Sequence, residues 1–228
     1  MQILSRPSPN FGPRRGGARP SIVVIHYTAM ASAEAALERL CDPAAEVSAH
    51  YLIAEDGRAW GLVEEAERAW HAGRGAWRRT DDVNSCSIGI ELANPGPLAG
   101  FPPFPEPQMA ALEGLLDGIM ARWRIGPADV IGHSDMAPGR KSDPGPKFDW
   151  RRLARGGRAV WVEGGSAAPA DWAEFACAVS AAGYRAVDED WPGLLEPLRL
   201  RFRPWACGAA LAPEDVAIAR ALAALGAA

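Results

Sequence analysis

The spacing of hydrophobic positions changes several times along the chain. Residues Ser21–Ile25, "SIVVI", are apolar and β-branched almost throughout, which predicts a strand buried on both faces. From 32 to 41 the apolar residues return at helical spacing, with Leu37, Leu40 and Cys41 on one side and Asp42–Pro43 as the stop. "VSAHYLI" (47–53) reads as a strand that turns at Asp56–Gly57 into "RAWGLV". "CSIGIEL" (86–92) is another strand. The Pro-rich "NPGPLAGFPPFPEPQ" that follows is a loop of the length that usually serves function inside a compact domain. A helix is predicted from Pro107 to Trp123, with Met109, Leu112, Leu115, Leu116, Ile119 and Trp123 on one buried face. "ADVIGH" makes a short last strand. Strands alternating with helices predict an α/β fold, a mixed central β-sheet flanked by helices.

The pattern changes after Trp150. "ARGGRAVWVEGGSAAP" is Gly-rich and reads as a linker, placed at 156–168. Three short amphipathic helices follow in 169–228. The first carries Trp172, Phe175 and Val179 and ends at Gly183, the second Leu194, Leu195, Leu198 and Phe202, and the third Ile218, Leu222 and Leu225. This predicts a first domain over 1–155, with 1–20 as an N-terminal arm, and a small C-terminal all-α domain. About 60 residues are marginal alone, so the helical domain is expected to lean on the first.

Composition narrows the function. The net charge of −4 and the lack of a basic face argue against nucleic acid as a partner. No run of about 18 apolar residues predicts a membrane span. Residues 1–20 hold no apolar signal core, and although Arg14–Arg15 suggests a twin-arginine signal, "SIVVIHYT" just behind it is too structured and too chemical to be removed. The cytoplasm is the expected compartment, with the periplasm as the alternative. Cys41, Cys86, Cys177 and Cys207 lack CxxC spacing and are expected to be buried small apolar residues.

The chemistry gathers at strand ends. His26 closes "IVVIH" and His133 closes "VIGH", where an open sheet presents reactive groups. Asp143 follows His133 by ten residues, on a loop stiffened by Pro138 and Pro144. Two imidazoles and a carboxylate make a catalytic zinc set with a fourth position open, but isolated satisfied histidines would read the same way, and no HExxH is present. Glu91 stands in the apolar "SIGIEL". It is either a buried carboxylate whose raised pKa suits a base near neutral pH, or a solvent-facing residue of an edge strand. Only Lys141 and Lys147 among the 24 basic residues are lysines. Lys141 could follow a developing oxyanion or could be an ordinary surface lysine. His50 and His71 could line a cleft, with His71 in "WHAG" the better candidate for touching substrate.

The segments "VVIHYTAM", "SAHYLI", "WHAGRGAW", "NSCSIGIELAN" and "GHSDMAPGRKSDPGPKFDW" together resemble the zinc-dependent type-2 N-acetylmuramoyl-L-alanine amidases, relatives of the peptidoglycan recognition proteins, over about residues 20–153. The resemblance implies one zinc ion per chain held by His26, His133 and Asp143, Glu91 as the catalytic glutamate, and Lys141 as the oxyanion-stabilising lysine. It implies peptidoglycan fragments (muropeptides) as partners, with His71, Asn84 and His50 on the substrate side. The reaction implied is hydrolysis of the amide between N-acetylmuramic acid, including its 1,6-anhydro form, and L-alanine, in wall turnover and recycling. A catalytically inactive peptidoglycan-binding module and a zinc endopeptidase cutting within the stem peptide are the alternatives. The C-terminal "RLRFRPWACGAALAPEDVAIARALAAL" resembles a peptidoglycan-binding helical domain of the family's two-domain branch. A chain cut near Gly165 is then expected to keep activity on small fragments and to lose more on polymeric wall.

Overall fold

The apolar run at residue 22 lies deep within a six-stranded sheet. The computed structural model describes residues 2–165, 169–188 and 190–226; positions 166–168 of the expected linker lie outside the described residues. In chain order the elements are β1 (Ile3–Ser5), β2 (Phe11–Gly12), β3 (Ile22–Tyr27), α1 (Ala33–Cys41), β4 (Tyr51–Ile53), β5 (Ala59–Gly61), β6 (Arg68–Ala69), α2 (Val83–Cys86), β7 (Ser87–Leu92), α3 (Glu106–Trp123), β8 (Val130–Gly132), α4 (His133–Met136) and α5 (Trp150–Arg155). Three helices follow: α6 (Trp172–Ala181), α7 (Leu195–Phe202) and α8 (Pro213–Gly226).

The main sheet runs β1-β5-β4-β7-β3-β8. β3 pairs in parallel with β7 and β8, and β4 in parallel with β7, while β4 and β5 form the antiparallel hairpin expected at Asp56–Gly57. The sheet is therefore mixed, as the pattern predicts. Alternation along the strands sorts its two faces. Val23, Ile25, Ile88, Ile90 and Leu92 pack under Met109, Leu112, Leu115, Leu116 and Ile119 of α3 and under Trp150 and Leu153 of α5. On the other face Leu52 joins Leu37 and Leu40 of α1, whereas Ile22 and Val24 join the C-terminal helices. The elements covering that face divide into two clusters, and a trough is left between them.

The apolar cluster around Ile22 and Val24 contains Trp77, Val83, Ile131 and Met136 from the sheet layer. It also contains Phe175, Val179, Leu198, Phe202 and Val216 from the helical unit. One core therefore serves both regions. Two of the expected helix faces differ in detail: Trp172 is 42% exposed and Leu225 50%, because they lie at the outer ends of α6 and α8.

The N-terminal arm is built into the sheet layer. β1 pairs with β5 and β2 with β6. Arg14 donates to the carbonyls of Glu65 (2.8 Å), Ser85 (2.8 Å) and Ser87 (3.0 Å), which replaces the water its guanidinium loses. The four cysteines are free and none is buried, contrary to expectation: Cys177 is exposed and the others half-buried. At these positions helix and loop surfaces leave one side of the thiol open.

Candidate metal centre and active-site cleft

The trough holds the polar positions of the same strands. His26 and Glu91 are register partners on β3 and β7, and both sit near the C-terminal ends of parallel strands. β7 lies between β4 and β3, so Glu91 belongs to a central strand and the edge-strand reading falls. His133 is the first residue of the one-turn α4, directly after β8, where the sequence pattern had extended the strand through it.

Three ligand atoms converge. His26 Nδ1 lies 2.9 Å from His133 Nδ1 and 2.9 Å from Asp143 Oδ2, and His133 Nδ1 is 3.0 Å from the same oxygen. All three residues are buried. Two imidazole nitrogens this close to one carboxylate oxygen form a triangle of lone pairs about the size of a zinc coordination face.

Hydrogen bonds behind the triangle set both tautomers. His133 Nε2–H donates to the Ala72 carbonyl at 2.8 Å, leaving its Nδ1 lone pair for the site. His26 is set through a longer chain. Ser87 Oγ donates to the Val83 carbonyl (2.6 Å), so it accepts from His71 Nε2–H (3.1 Å); His71 Nδ1 then accepts from His26 Nε2–H (3.0 Å). Burial and the neighbouring His133 push His26 down to about 4, so it stays neutral near pH 7. Burial opposes ionisation of Asp143, but the two imidazoles set against its Oδ2, His133 and then His26, outweigh that and hold the carboxyl well below the usual range. Neutral imidazoles and an ionised carboxylate are the forms a divalent cation takes.

Glu91 faces this triangle in a different state. Its Oε2 is closed off from solvent and has no hydrogen-bond partner among the described residues. Burial, and then the Asp143 charge, push its pKa well above the carboxylate range, with Lys141 pulling the other way. Glu91 and Lys141 both line a cleft of about 460 Å³ with His26, His133, Asp143 and Trp70. The loop carrying Lys141 is braced by Tyr27, whose hydroxyl meets Ser142 Oγ at 2.7 Å. Arg140 on the same loop donates to the Ala72 carbonyl at 2.7 Å.

The three substrate-side candidates fall differently. His71 borders the cleft, but both its ring nitrogens are taken by His26 and Ser87, so it acts behind His26 and not toward a substrate. Gly89 makes room for it: a side chain there would collide with the His71 ring. Asn84 is 7% exposed and its Oδ1 accepts from the backbone amides of His71 (3.1 Å) and Ala72 (2.8 Å), so it shapes that loop from below. His50 is fully buried away from the cleft. Its Nδ1 accepts from the Gly89 amide at 2.9 Å, and burial, with the nearby Arg14, pushes it down to about 3. The alternation that made His50 a candidate turns its side chain away from the cleft, against the Glu67 carbonyl and Arg14. Sequence reasoning missed Tyr27, Trp70 and Arg140; Tyr27 and Arg140 stand directly beside proposed site residues, and that adjacency was the available signal.

A family profile described as N-acetylmuramoyl-L-alanine amidase matches residues 16–146. The N-acetylmuramoyl-L-alanine amidase AmiD of Escherichia coli K12 is 44% identical over 157 residues, which cover 64% of this chain and 56% of AmiD. The 1,6-anhydro-N-acetylmuramyl-L-alanine amidase AmpD of Citrobacter freundii is 33% identical over 164 residues, covering 64% of this chain and 86% of AmpD. The solved complex of E. coli AmiD with the substrate anhydro-N-acetylmuramic acid-L-Ala-D-gamma-Glu-L-Lys superposes with a TM-score of 0.81 at 35% identity, over 93% of this chain and 96% of that one. The family match takes in more than half of the chain, including His26, Glu91, His133 and Asp143, and this chain belongs to the N-acetylmuramoyl-L-alanine amidase family.

Proposed function

We propose that this chain is a zinc-dependent amidase that cleaves the bond between N-acetylmuramic acid, including the 1,6-anhydro form, and the L-alanine of peptidoglycan stem peptides. The observation that carries this reading is the Glu91 carboxyl, whose closed-off Oε2 has no partner among the described residues, lining one cleft with the His26–His133–Asp143 triangle. An inactive binding module would not need a half-buried carboxylate with one oxygen shut off from solvent.

The donor set suits zinc: two neutral imidazoles, one carboxylate, and tautomers fixed so that the lone pairs point inward. When bound, zinc supplies the positive charge that acidifies water and makes the lactyl carbonyl electrophilic. Glu91 accepts the water's proton and delivers it to the departing alanine amine; its raised pKa makes it a stronger base than an ordinary carboxylate. Lys141 balances the charge that grows on the carbonyl oxygen. The products are the muramyl (or anhydromuramyl) acid and a free stem peptide.

A defined anhydro-muropeptide and its reducing counterpart, each digested and read by mass spectrometry, test the activity. Release of an intact stem peptide from both is expected. Cleavage within the stem would make the enzyme an endopeptidase, and binding without cleavage would make it a recognition module.

The metal has its own test. One zinc per chain is expected, lost together with activity on chelation, and His26→Ala or His133→Ala should remove both. Elemental analysis that finds full zinc occupancy in the double variant would overturn the ligand assignment.

Longer substrates are proposed to extend into a second groove of about 600 Å³. Its walls include Phe101, Pro197, Leu200 and Pro204, and it shares Arg140, Lys141 and Ser142 with the cleft. Trp205, between the wall residues Pro204 and Cys207, is 73% exposed and offers a flat face to a sugar ring. Among the described residues no helix is long and apolar enough to cross a membrane. The compartment proposed is the cytoplasm, where soluble anhydro-muropeptides are the substrate at hand. Fractionation of the host with an antibody to the chain checks it, and a periplasmic pool would shift the assignment to wall turnover.

A further inference from the structure

Asp135 is 1% exposed, two residues beyond His133. Its Oδ2 accepts from the amide of Gly132, the last residue of β8 and the N-cap of the His133 turn, at 2.8 Å. Two more donors reach it from the C-terminal helical unit. The Tyr184 hydroxyl donates to Oδ1 at 2.8 Å and Arg201 Nη1 to Oδ2 at 3.3 Å. Arg201 is held in turn by the carbonyls of Val130 (3.3 Å) and Val160 (3.0 Å) and lies over the Trp150 ring at 4.0 Å. The Tyr184 ring packs edge-on against Trp77 at 5.1 Å.

What Asp135 holds still is the backbone that carries the metal site. His133 lies inside the Gly132–Ser134 segment. The Ser134 amide donates to the Asp143 carbonyl at 2.9 Å, so a second ligand is tied to the same three residues. Gly132 admits the Asp143–Pro144 backbone at close range, since a Cβ there would lie 2.7 Å from Pro144 Cδ. A shift of this segment therefore moves two of the three ligands together.

We infer that Tyr184 and Arg201 are positioning residues of the metal site: through Asp135 they fix the segment that presents His133 and anchors Asp143, so the C-terminal unit sets the affinity for the metal. Packing alone does not require this. The helical unit also has a second buried pair, Arg199 with Asp215 at 2.6 Å, which serves only its own helices. The inference rests on His26, His133 and Asp143 being the metal ligands.

The experiment is zinc affinity by chelator competition on the full chain, at a temperature where circular dichroism shows every variant folded. Tyr184→Phe removes one hydroxyl and leaves the ring. It is expected to weaken zinc binding by roughly tenfold, the lower end of what lost outer hydrogen bonds cost a metal site. Arg201→Lys keeps the charge but loses the fork that reaches Asp135 and two carbonyls, and is expected to act in the same direction; it carries the test alone if Tyr184→Phe does not fold. Val179→Ala is the control. It loosens the shared core without touching Asp135, and should lower the melting temperature while leaving zinc affinity unchanged. Wild-type affinity in both Tyr184→Phe and Arg201→Lys, or an equal loss in Val179→Ala, would overturn the inference. A wild-type chain that binds no zinc would instead overturn the ligand assignment beneath it.

Discussion

Replacing Glu91 by glutamine is expected to slow amide hydrolysis by roughly 10²–10⁴-fold, the range for removing a general base, while zinc stays bound. The two side chains have nearly the same shape, so the cleft is preserved. Only the capacity to accept and return a proton is lost. The metal-free protein should also melt a few degrees higher than wild type, because a carboxylate in that position is poorly solvated and has no partner for Oε2. The sign follows from the raised pKa. The folded state holds the Glu91 proton more tightly than the unfolded chain does. The stability this adds is fully present below the ordinary carboxylate pKa and is lost as pH rises through the raised folded value. The melting-temperature gap between Glu91→Gln and wild type should therefore widen as pH rises above the ordinary carboxylate range. Single-turnover kinetics, elemental analysis and a melting series across pH check the three parts. Undiminished turnover, or loss of zinc, would take the base role away from Glu91.

Ending the chain near Gly165 is expected to abolish folding, and with it activity on small and polymeric substrates alike. This replaces the expectation that the truncated chain would still cleave fragments. Removing the helices uncovers Ile22, Val24, Trp77, Ile131 and Met136 on one face of the sheet. Each fully buried side chain of this kind contributes about 1.5–3 kcal/mol. The cut also strips Arg201 from the buried Asp135, and breaking a buried ion pair costs about 3–5 kcal/mol. Together these come to about 10–20 kcal/mol, as large as the roughly 5–15 kcal/mol that holds a typical domain folded. Gel filtration and circular dichroism of the shortened chain decide it. A monodisperse, folded product with full activity on a small muropeptide would show that the helical unit is a detachable module.

Much of the local structure is readable from period and punctuation. The unbroken apolar run of β3, the alternation of β7 and the 3.6-residue spacing of α3 each follow from which faces must be dry. The His26–His133–Asp143 set was legible as well, through strand-end placement and a densely patterned loop. A local pattern says that a face is covered, however, and not by what. Ile22 and Val24 announce burial, but only the folded chain shows that α6 to α8 provide it. Histidines posed the same difficulty. His50 and His71 both read as polar residues beside apolar ones, and their roles separated only when partners up to 39 residues away reached them: Gly89 for His50 and Ser87 for His71. Asp135 is the clearest case. In sequence it is one more charge in "GHSDMAPGRKSD", indistinguishable from a solvated residue. Its partners Tyr184 and Arg201 lie 49 and 66 residues further on. The sequence by itself determined which segments form strands and helices and which side chains can bind metal, because these depend on residue type and short-range spacing. Which buried charges are paired, and which helices close the core behind the site, depends on contacts distant along the chain, and only the tertiary structure decided them.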